Sequence, residues 1–177
     1  MSNSEPHILV TGGAGYIGSH TVIGLRDSGK AVVVLDNLSS GSKALVPDDV
    51  PMIVGDIKDT DLVRRTLERY AVSAVMHFAG SIIVSESVAD PLTYYANNTE
   101  ASLRFISCCD EMDVDAFVFS STAAVYGDPA QRRVDENAST MPINPYGASK
   151  LMTERMLRDV SAATGLRIAI LRYFNVA

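Results

Sequence analysis

The chain alternates short, strongly apolar runs with longer stretches in which apolar residues recur at helical spacing. The run 31–35 contains no polar residue, which is typical of a strand buried on both faces. Gly29 and Gly165 are placed as helix ends, and Asn144 followed by Pro145 predicts a helix start. The predicted strands are 7–11, 31–35, 52–54, 74–78, 116–120 and 167–171. The predicted helices run from a glycine-rich turn to about 28, and then over 59–70, 91–112 and 145–164.

This alternation predicts an α/β fold, a doubly wound parallel sheet of Rossmann type with helices on both faces. Right-handed crossovers favour the strand order 3-2-1-4-5-6. Because no internal repeat or low-complexity linker divides the 177 residues, we expect residues 1–177 to form one domain.

Composition narrows the class of protein. The chain is 47% hydrophobic and 20% charged with a formal net charge of −6, and no Lys/Arg-rich run suggests a nucleic-acid partner. The start passes from polar residues directly into a predicted strand, so we expect neither a signal peptide nor a membrane partner, and a cytoplasmic location. Cys108 and Cys109 are adjacent on a predicted helix and point about 100° apart. We therefore expect two free thiols.

A glycine-rich turn joins the first predicted strand to the first predicted helix. Its sequence TGGAGYIG places glycines at 12, 15 and 18. Glycine permits a tight turn and close approach of a phosphate, and the free N–H groups of a helix start favour an anion. We predict that this turn holds the pyrophosphate of a dinucleotide, the alternative being a plain glycine-rich turn.

Acidic residues follow the next two predicted strands. Asp36 is placed to accept hydrogen bonds from the adenosine ribose hydroxyls and to repel a 2′-phosphate, which favours NAD over NADP. The alternative for Asp36 is a turn cap. Asp56 and Ile57 follow the third strand, and we expect them to flank the adenine.

A YxxxK motif begins the helix after the fifth strand. Tyr146 and Lys150 are four residues apart, so both side chains lie on one helix face. A nearby Lys⁺ favours the phenolate, so we expect the pKa of Tyr146 to fall toward the range of a general base. Thr122, near the end of the fifth strand, is a candidate hydroxyl for binding a substrate oxygen.

Seven segments between residues 11 and 175 carry a resemblance: TGGAGYIGSH, VVLDNLSSG, GDI, MHFAG, FSSTAAVYGD, NPYGASK and LRYFN. The chain resembles the extended short-chain dehydrogenase/reductase family and, within it, the UDP-hexose 4-epimerases. The resemblance implies an NAD-dependent isomerase of galactose metabolism. It would invert C4 of a UDP-sugar, UDP-galactose or UDP-glucose, through a 4-keto intermediate. Relatives dimerise through helices of this half, which implies a homodimer.

The resemblance also implies residue roles. Tyr146 would be the acid/base, Lys150 would bind the nicotinamide ribose, and Thr122 would be the hydroxyl partner. No metal site is expected, because the three histidines share no ligand spacing. The residues that match cofactor contacts are Gly12, Gly15, Tyr16, Ile17, Gly18, Asp36, Asn37, Leu38, Ser40, Gly41, Asp56, Ile57, Phe78, Ala79, Gly80, Ser81, Asn98, Ser120, Tyr146, Lys150, Tyr173 and Phe174.

The chain departs from the family pattern in two respects. Many relatives carry a lysine two residues after the FAG motif, where this chain has Ser81 and Ile82, so one phosphate or ribose contact is expected to be missing. Relatives also continue past RYFN into a smaller domain that closes over the UDP-sugar. We therefore expect the cofactor-binding half alone, with NAD bound, epimerisation slow or absent, and an apolar strand edge and cleft floor exposed.

Alternatives stay open. A related dehydratase would carry an acidic pair after the active-site threonine, and Ala123 and Ala124 in those positions argue against it. A reductase, or a 4-epimerase for another nucleotide sugar, fits the same motifs. A non-catalytic NAD-binding module and a nonfunctional fragment are the remaining alternatives.

Overall fold

The computed structural model describes residues 6–129 and 133–175, which contain six strands and a set of helices. The strands are β1 Ile8–Thr11, β2 Val32–Asp36, β3 Met52–Val54, β4 Ala74–His77, β5 Ala116–Thr122 and β6 Arg167–Tyr173. The α-helices are α1 Tyr16–Asp27, α2 Thr60–Arg69, α3 Val84–Ala89, α4 Pro91–Tyr94, α5 Ala101–Glu111 and α6 Pro145–Thr164. A π-helical segment, Tyr95–Glu100, joins α4 to α5, and short 3-10 turns cover Lys43–Leu45 and Ala123–Tyr126.

All neighbouring strands pair in parallel, in the order β3-β2-β1-β4-β5-β6. The predicted fold class and strand order are therefore confirmed. In such a sheet the carboxyl ends of all strands meet at one edge, and the strand order reverses between β1 and β4. A cleft at that point is the expected position of a ligand.

The core lies in two layers, one on each face of the sheet. Because side chains alternate along a strand, Leu9 and Val10 of β1 enter different clusters. The larger cluster packs α2 and α5 against the sheet and includes the fully buried Phe105 and Phe117. The smaller one packs Val22 of α1 against the other face. Burying each phenylalanine contributes about 1.5–3 kcal/mol to stability.

The helical regions differ from the predictions in two places. Helix α3 is not predicted, because six residues are too few to establish a helical period. The helix predicted over 91–112 is instead three consecutive segments, with the π segment in the middle. Apolar periodicity cannot distinguish a π turn from an α turn, since both bury one stripe of the helix.

Strands β5 and β6 extend two residues beyond their predicted ends, and the pair Thr122 and Tyr173 closes their ladder. Thr122 is therefore held by the sheet rather than by a loop. Leu171 of β6 is 39% exposed and Phe174, directly after β6, is 67% exposed, so this edge of the sheet presents apolar surface as expected. Both cysteines are free and buried, as predicted. None of the helices in the described ranges has the length and hydropathy that crossing a membrane requires.

Candidate functional site

A cavity of about 660 Å³ opens at the carboxyl edge of the sheet and is lined by residues that follow every strand. This volume lies within the usual range for sites that bind small molecules and cofactors. The residues placed there by the sequence come from the glycine-rich turn, the acidic positions after β2 and β3, the FAG segment after β4, and the YxxxK motif.

The glycine-rich turn is built by close contacts that side chains would prevent. Gly12 has φ +69°, and a Cβ there would lie 2.6 Å from the backbone nitrogen of Ala79. A Cβ on Gly18 would collide with the carbonyl oxygen of Gly12. Helix α1 then starts at Tyr16 with no side chain capping its first turn. The turn thus offers N–H groups and the positive end of the helix dipole to an anion in the cavity.

Asp36, at the end of β2, is held in a fixed orientation. Its carboxylate accepts hydrogen bonds from the backbone nitrogens of Ala14 (2.9 Å) and Leu38 (2.8 Å), and it is 8% exposed. The bond to Leu38 is the turn-capping contact that the alternative reading expects. Asp36 also lines the cavity, so it closes the turn while its carboxylate lies beside the space for a ligand, and its role toward the ribose stays a prediction.

Leu38 is not among the residues that line the cavity, and its assignment as a cofactor contact stays a prediction. Its backbone has φ +58° and its side chain packs against the smaller core cluster. Its contribution is the N–H that orients Asp36. A match to a family motif identifies which residue occupies a position, but it does not show in which direction the side chain points.

The loops after β2 and β3 are joined by a hydrogen bond of 2.9 Å from the Asn37 amide to the Asp56 carboxylate. The other Asp56 oxygen accepts from the backbone nitrogen of Lys58 at 2.9 Å. Ile57 is buried beside it, at 6% exposure, and lines the cavity. Asp56 and Ile57 therefore provide a polar and an apolar group side by side at the position predicted for the adenine.

Asn98 is also not among the residues that line the cavity, and its predicted contact with the cofactor stays a prediction. It is 2% exposed, and its side chain accepts from the Ser81 nitrogen (2.7 Å) and donates to the Ser81 carbonyl oxygen (3.0 Å). It also donates to the Ser149 hydroxyl of α6 at 3.1 Å. Asn98 therefore fixes the loop after β4 to the helix of the YxxxK motif, while its neighbour Asn97 lines the cavity.

Tyr146 and Lys150 enter the cavity from the first turns of α6. Asn144 caps this helix by accepting from the Gly147 nitrogen at 2.8 Å, and Pro145 occupies its first position. Lys150 is 4% exposed and donates to the carbonyl oxygen of Ser120 at 3.1 Å. Its ammonium also lies 5.0 Å from the centre of the Phe119 ring.

Burial dominates the titration of both residues. It lowers the pKa of Lys150 to about 8. Burial also raises the pKa of the Tyr146 phenol, and a hydrogen bond with Thr122 opposes this rise without cancelling it. The expected lowering of the Tyr146 pKa is therefore wrong. Lys150 directs its ammonium to a backbone carbonyl, and the loss of hydration of the phenolate has the larger effect.

A sequence profile of the NAD dependent epimerase/dehydratase family matches residues 8–177. This chain belongs to that family. It is 56% identical to a UDP-glucose 4-epimerase of Azospirillum brasilense over 174 residues, 98% of this chain and 50% of that protein. The structure is similar to that of UDP-glucose 4-epimerase from Brucella ovis in complex with NAD, with TM-score 0.93 and 45% identity, covering 96% of this chain and 52% of the other. It is also similar to the UDP-Glc/GlcNAc 4-epimerase from Campylobacter jejuni, with TM-score 0.94 and 46% identity, covering 97% and 54%.

The chain thus spans about half the length of the curated relatives it matches. Apart from Leu38 and Asn98, every family position predicted from the sequence lines the cavity. The lining also contains residues that were not predicted: Leu35, Ser39, Gly55, Lys58, Ile82, Ile83, Glu86, Tyr94, Asn97, Ser121 and Asn175. Within the described ranges, no cluster of three or more His, Cys, Asp or Glu side chains is suited to a metal ion.

A buried ionic network, which the sequence does not indicate, lies behind the reactive residues. Glu154 of α6 is fully buried and accepts hydrogen bonds from Ser121 (2.5 Å), Arg158 (2.9 Å) and Arg172 (2.9 and 2.7 Å). Burial alone would raise the pKa of Glu154, but these donors together lower it. The network ties α6 to the ends of β5 and β6. Glu154 lies eight residues after Tyr146 in the sequence, and this spacing does not identify its partners, which meet it only in the folded chain.

Proposed function

We propose that this chain is the cofactor-binding half of an NAD-dependent 4-epimerase that interconverts UDP-galactose and UDP-glucose. One observation carries the proposal: Thr122, Tyr146 and Lys150 line the same cavity as the glycine-rich turn and Asp36. Proton-transfer groups and a dinucleotide cradle therefore share one space. The 56% identity to a UDP-glucose 4-epimerase supports the choice of substrate.

The cavity fits NAD in shape and charge. Gly12 and Gly18 leave space that a Cβ would fill, directly at the free end of α1, where a pyrophosphate is favoured. The oriented Asp36 carboxylate matches the two ribose hydroxyls of adenosine and disfavours a 2′-phosphate. Lys150 has two ammonium hydrogens left after its bond to Ser120, and these suit the hydroxyls of the nicotinamide ribose.

The residues of the chain supply the proton chemistry. NAD⁺, which the glycine-rich turn, Asp36 and Lys150 would hold, would supply the acceptor for the C4 hydride of the sugar and the donor that returns it to the other face of the 4-keto sugar. Thr122 holds the 4′-oxygen by a hydrogen bond, and Tyr146 exchanges a proton with it. Because burial raises the pKa of the phenol, the protonated Tyr146 is suited to the return step. Proton removal needs the phenolate, so we expect turnover to increase with pH above neutrality.

The test uses the purified 177-residue chain and two matched variants, Tyr146→Phe and Tyr70→Phe. The second removes a phenol hydroxyl outside the cavity lining. Cofactor is released by denaturation and identified, and conversion of UDP-galactose is followed with added NAD⁺. We expect bound NAD and slow conversion, which Tyr146→Phe lowers by about 10²–10⁴-fold without loss of NAD. Tyr70→Phe leaves the rate unchanged.

Absence of NAD binding would overturn the proposal. Equal, measurable rates for the two variants would exclude Tyr146 as the acid/base, whereas bound NAD without any conversion would fit a cofactor-binding half that does not turn over by itself.

A second candidate is the 4-epimerisation of an N-acetylated UDP-hexose. The relative from Campylobacter jejuni, named as a UDP-Glc/GlcNAc 4-epimerase, favours it at 46% identity. The same assay with UDP-N-acetylgalactosamine distinguishes the two. A dehydratase is disfavoured, because Ala123 and Ala124 follow Thr122 in a 3-10 turn and supply no carboxylate.

We also propose a homodimer and a cytoplasmic location. Leu92 of α4 and Leu103 of α5 are 79% and 51% exposed. They give the α4–α5 region an apolar surface that suits a helix of a second copy. Two buried free thiols suit a reducing compartment. A sedimentation measurement showing a monomer at high concentration would contradict the dimer, and detection of the protein outside the cytoplasm would contradict the location.

A further inference from the structure

Lys58 reaches across the cavity in a way that the sequence does not suggest. Its ammonium donates to the side-chain oxygen of Asn97 at 2.6 Å, and the Asn97 amide donates to the Ser81 hydroxyl at 3.2 Å. All three residues line the cavity. Asn97 belongs to the π segment, in which it and Asn98 both bond to Ser81. The three side chains form a continuous bridge, here called the Lys58 bridge.

The position of the Lys58 bridge follows from the strand order. Lys58 follows β3 and Ser81 follows β4, and β2 and β1 lie between these two strands. The bridge therefore passes in front of the carboxyl ends of β2 and β1, where the glycine-rich turn is. Helix α1 packs on one face of the sheet, whereas α2 and α5, which flank the bridge, pack on the other. The middle of the cavity thus lies between the start of α1 and the Lys58 bridge.

Among the charged side chains of the described cavity lining, Lys58 is the cation that lies in this middle part. The charged side chains of the described lining are Asp36, Asp56, Glu86, Lys58 and Lys150. Lys150 is bonded to Ser120 at the opposite end. Lys58 forms no ion pair with any carboxylate in the ranges that the structure describes.

Its hydrogen-bond partner Asn97 is uncharged, so this bond does not neutralise the ammonium, which has two further hydrogens to donate. The start of α1 opposite carries only the partial charge of a helix end, about half a unit. A diphosphate in this position carries two negative charges, so a second, full cation is favourable there. Ile82 on the same wall is uncharged and 68% exposed.

We propose that Lys58, held by Asn97 and Ser81, binds the pyrophosphate of the dinucleotide from the side opposite the glycine-rich turn. This inference rests on the proposed binding of NAD. It assigns to Lys58 the phosphate contact that the uncharged Ser81 and Ile82 cannot supply. The role needs a fixed path of the Lys58 side chain, and the hydrogen bond to the Asn97 side-chain oxygen provides it.

The test compares Lys58→Gln with Lys30→Gln by titration calorimetry of the 177-residue chain with NAD⁺. Both changes remove one positive charge, and Lys30 precedes β2 at the amino end of the sheet, away from the cavity. We expect Lys58→Gln to weaken NAD⁺ binding about tenfold, as for loss of a charge-assisted hydrogen bond. Lys30→Gln leaves binding unchanged. Added salt should weaken binding less in Lys58→Gln than in the other two proteins, because one screened attraction has been removed.

Equal affinities of the two variants would overturn the role of Lys58. A weaker Lys58→Gln with an unchanged salt dependence would also overturn it, since the residue would then act through loop structure rather than charge. Thermal unfolding of both variants checks that the fold is intact. Failure of the unsubstituted chain to bind NAD⁺ would instead overturn the proposed function on which the inference rests.

Discussion

The two ends of the cavity are formed by different kinds of chemical groups. At the end formed by the loops after β1 and β2, the binding groups are backbone atoms and one carboxylate, Asp36, oriented by two backbone nitrogens. At the end formed by β5, β6 and α6, the groups are buried side chains, including Lys150 and Glu154, tied together by hydrogen bonds across the sheet. The first end is here called the glycine end and the second the reactive end.

The difference shows how burial changes what each end can do. The glycine end binds through geometry, because its turn fixes the backbone N–H groups and two backbone nitrogens orient the Asp36 carboxylate. At the reactive end burial moves the pKa of Lys150 down to about 8 and the pKa of Tyr146 up. Groups whose protonation is tuned in this way are typical of acid/base sites. Because the groups of the reactive end are buried, the stability of the fold there depends on intact ion pairs.

The strongest way to break the reactive end is Glu154→Gln. This change leaves Arg172, whose side chain is 12% exposed, without its carboxylate. Removing one partner of a buried ion pair destabilises a protein by about 3–5 kcal/mol, and we expect a loss of this size in the free energy of unfolding. Denaturant titration measures it.

The matched control is Asp159→Asn, which breaks the exposed pair of Arg155 and Asp159 on the same helix. We expect no measurable change there. Because the pKa of Glu154 is lowered in the fold, its contribution is complete above the ordinary glutamate pKa and is lost as the pH falls through the folded pKa. Similar losses in the two variants would contradict a special role for the buried network.

The glycine end is tested by Gly18→Ala. A Cβ at this position meets the Gly12 carbonyl oxygen, so the turn must shift, at a cost of about 1–3 kcal/mol in stability, and NAD binding should be lost. Gly24→Ala in the same helix is the control, since a Cβ there has no neighbour within 4 Å. We expect it to stabilise the protein by about 0.5–1 kcal/mol. Calorimetry and thermal unfolding report both effects, and unchanged NAD binding in Gly18→Ala would contradict the cradle.

A smaller effect on stability is expected from His77 of β4, which lies between the two ends of the cavity. It bonds to Thr11 at 2.6 Å and to Ser102 at 3.1 Å, and burial lowers its pKa to about 3. The unfolded chain therefore binds a proton at a pH where the folded chain does not, so stability rises with pH up to about 6.5. We expect a slope from this group of about 1.4 kcal/mol per pH unit.

Unfolding measured between about pH 5 and 6.5 checks this slope, since the exposed carboxylates are already ionised there. His77→Gln should flatten the dependence, whereas His20→Gln, on the surface of α1, should not. An unchanged slope in His77→Gln would show that His77 is not the group responsible.

The contrast between the two ends also explains what the sequence predicts and what it does not. The glycine-rich turn and Asp36 are local features, since their meaning depends on neighbours within one βαβ unit. The six strands and the helix ends at Asn144 and Gly165 are local in the same sense, and the structure confirms them. Strand order follows from the handedness of the connections.

Features that depend on distant partners are not predicted. Glu154 and Arg172 are eighteen residues apart and meet only when α6 packs beside β6. Whether Asn97 or Asn98 lines the cavity depends on the wider turn of the π segment, which the apolar spacing does not reveal. The direction of the Tyr146 pKa depends on burial against the attraction of a nearby cation, and the sequence shows only the cation.

The most direct test of the account is the affinity of the 177-residue chain for NAD⁺ and for NADP⁺, measured side by side by titration calorimetry. With the adenosine ribose against the Asp36 carboxylate, we expect NAD⁺ to bind more tightly than NADP⁺, by about tenfold or more. Asp36→Asn should reduce this preference, mainly by strengthening NADP⁺ binding. Equal affinity for the two dinucleotides, or binding of neither, would contradict the central claim that this cavity is an NAD site.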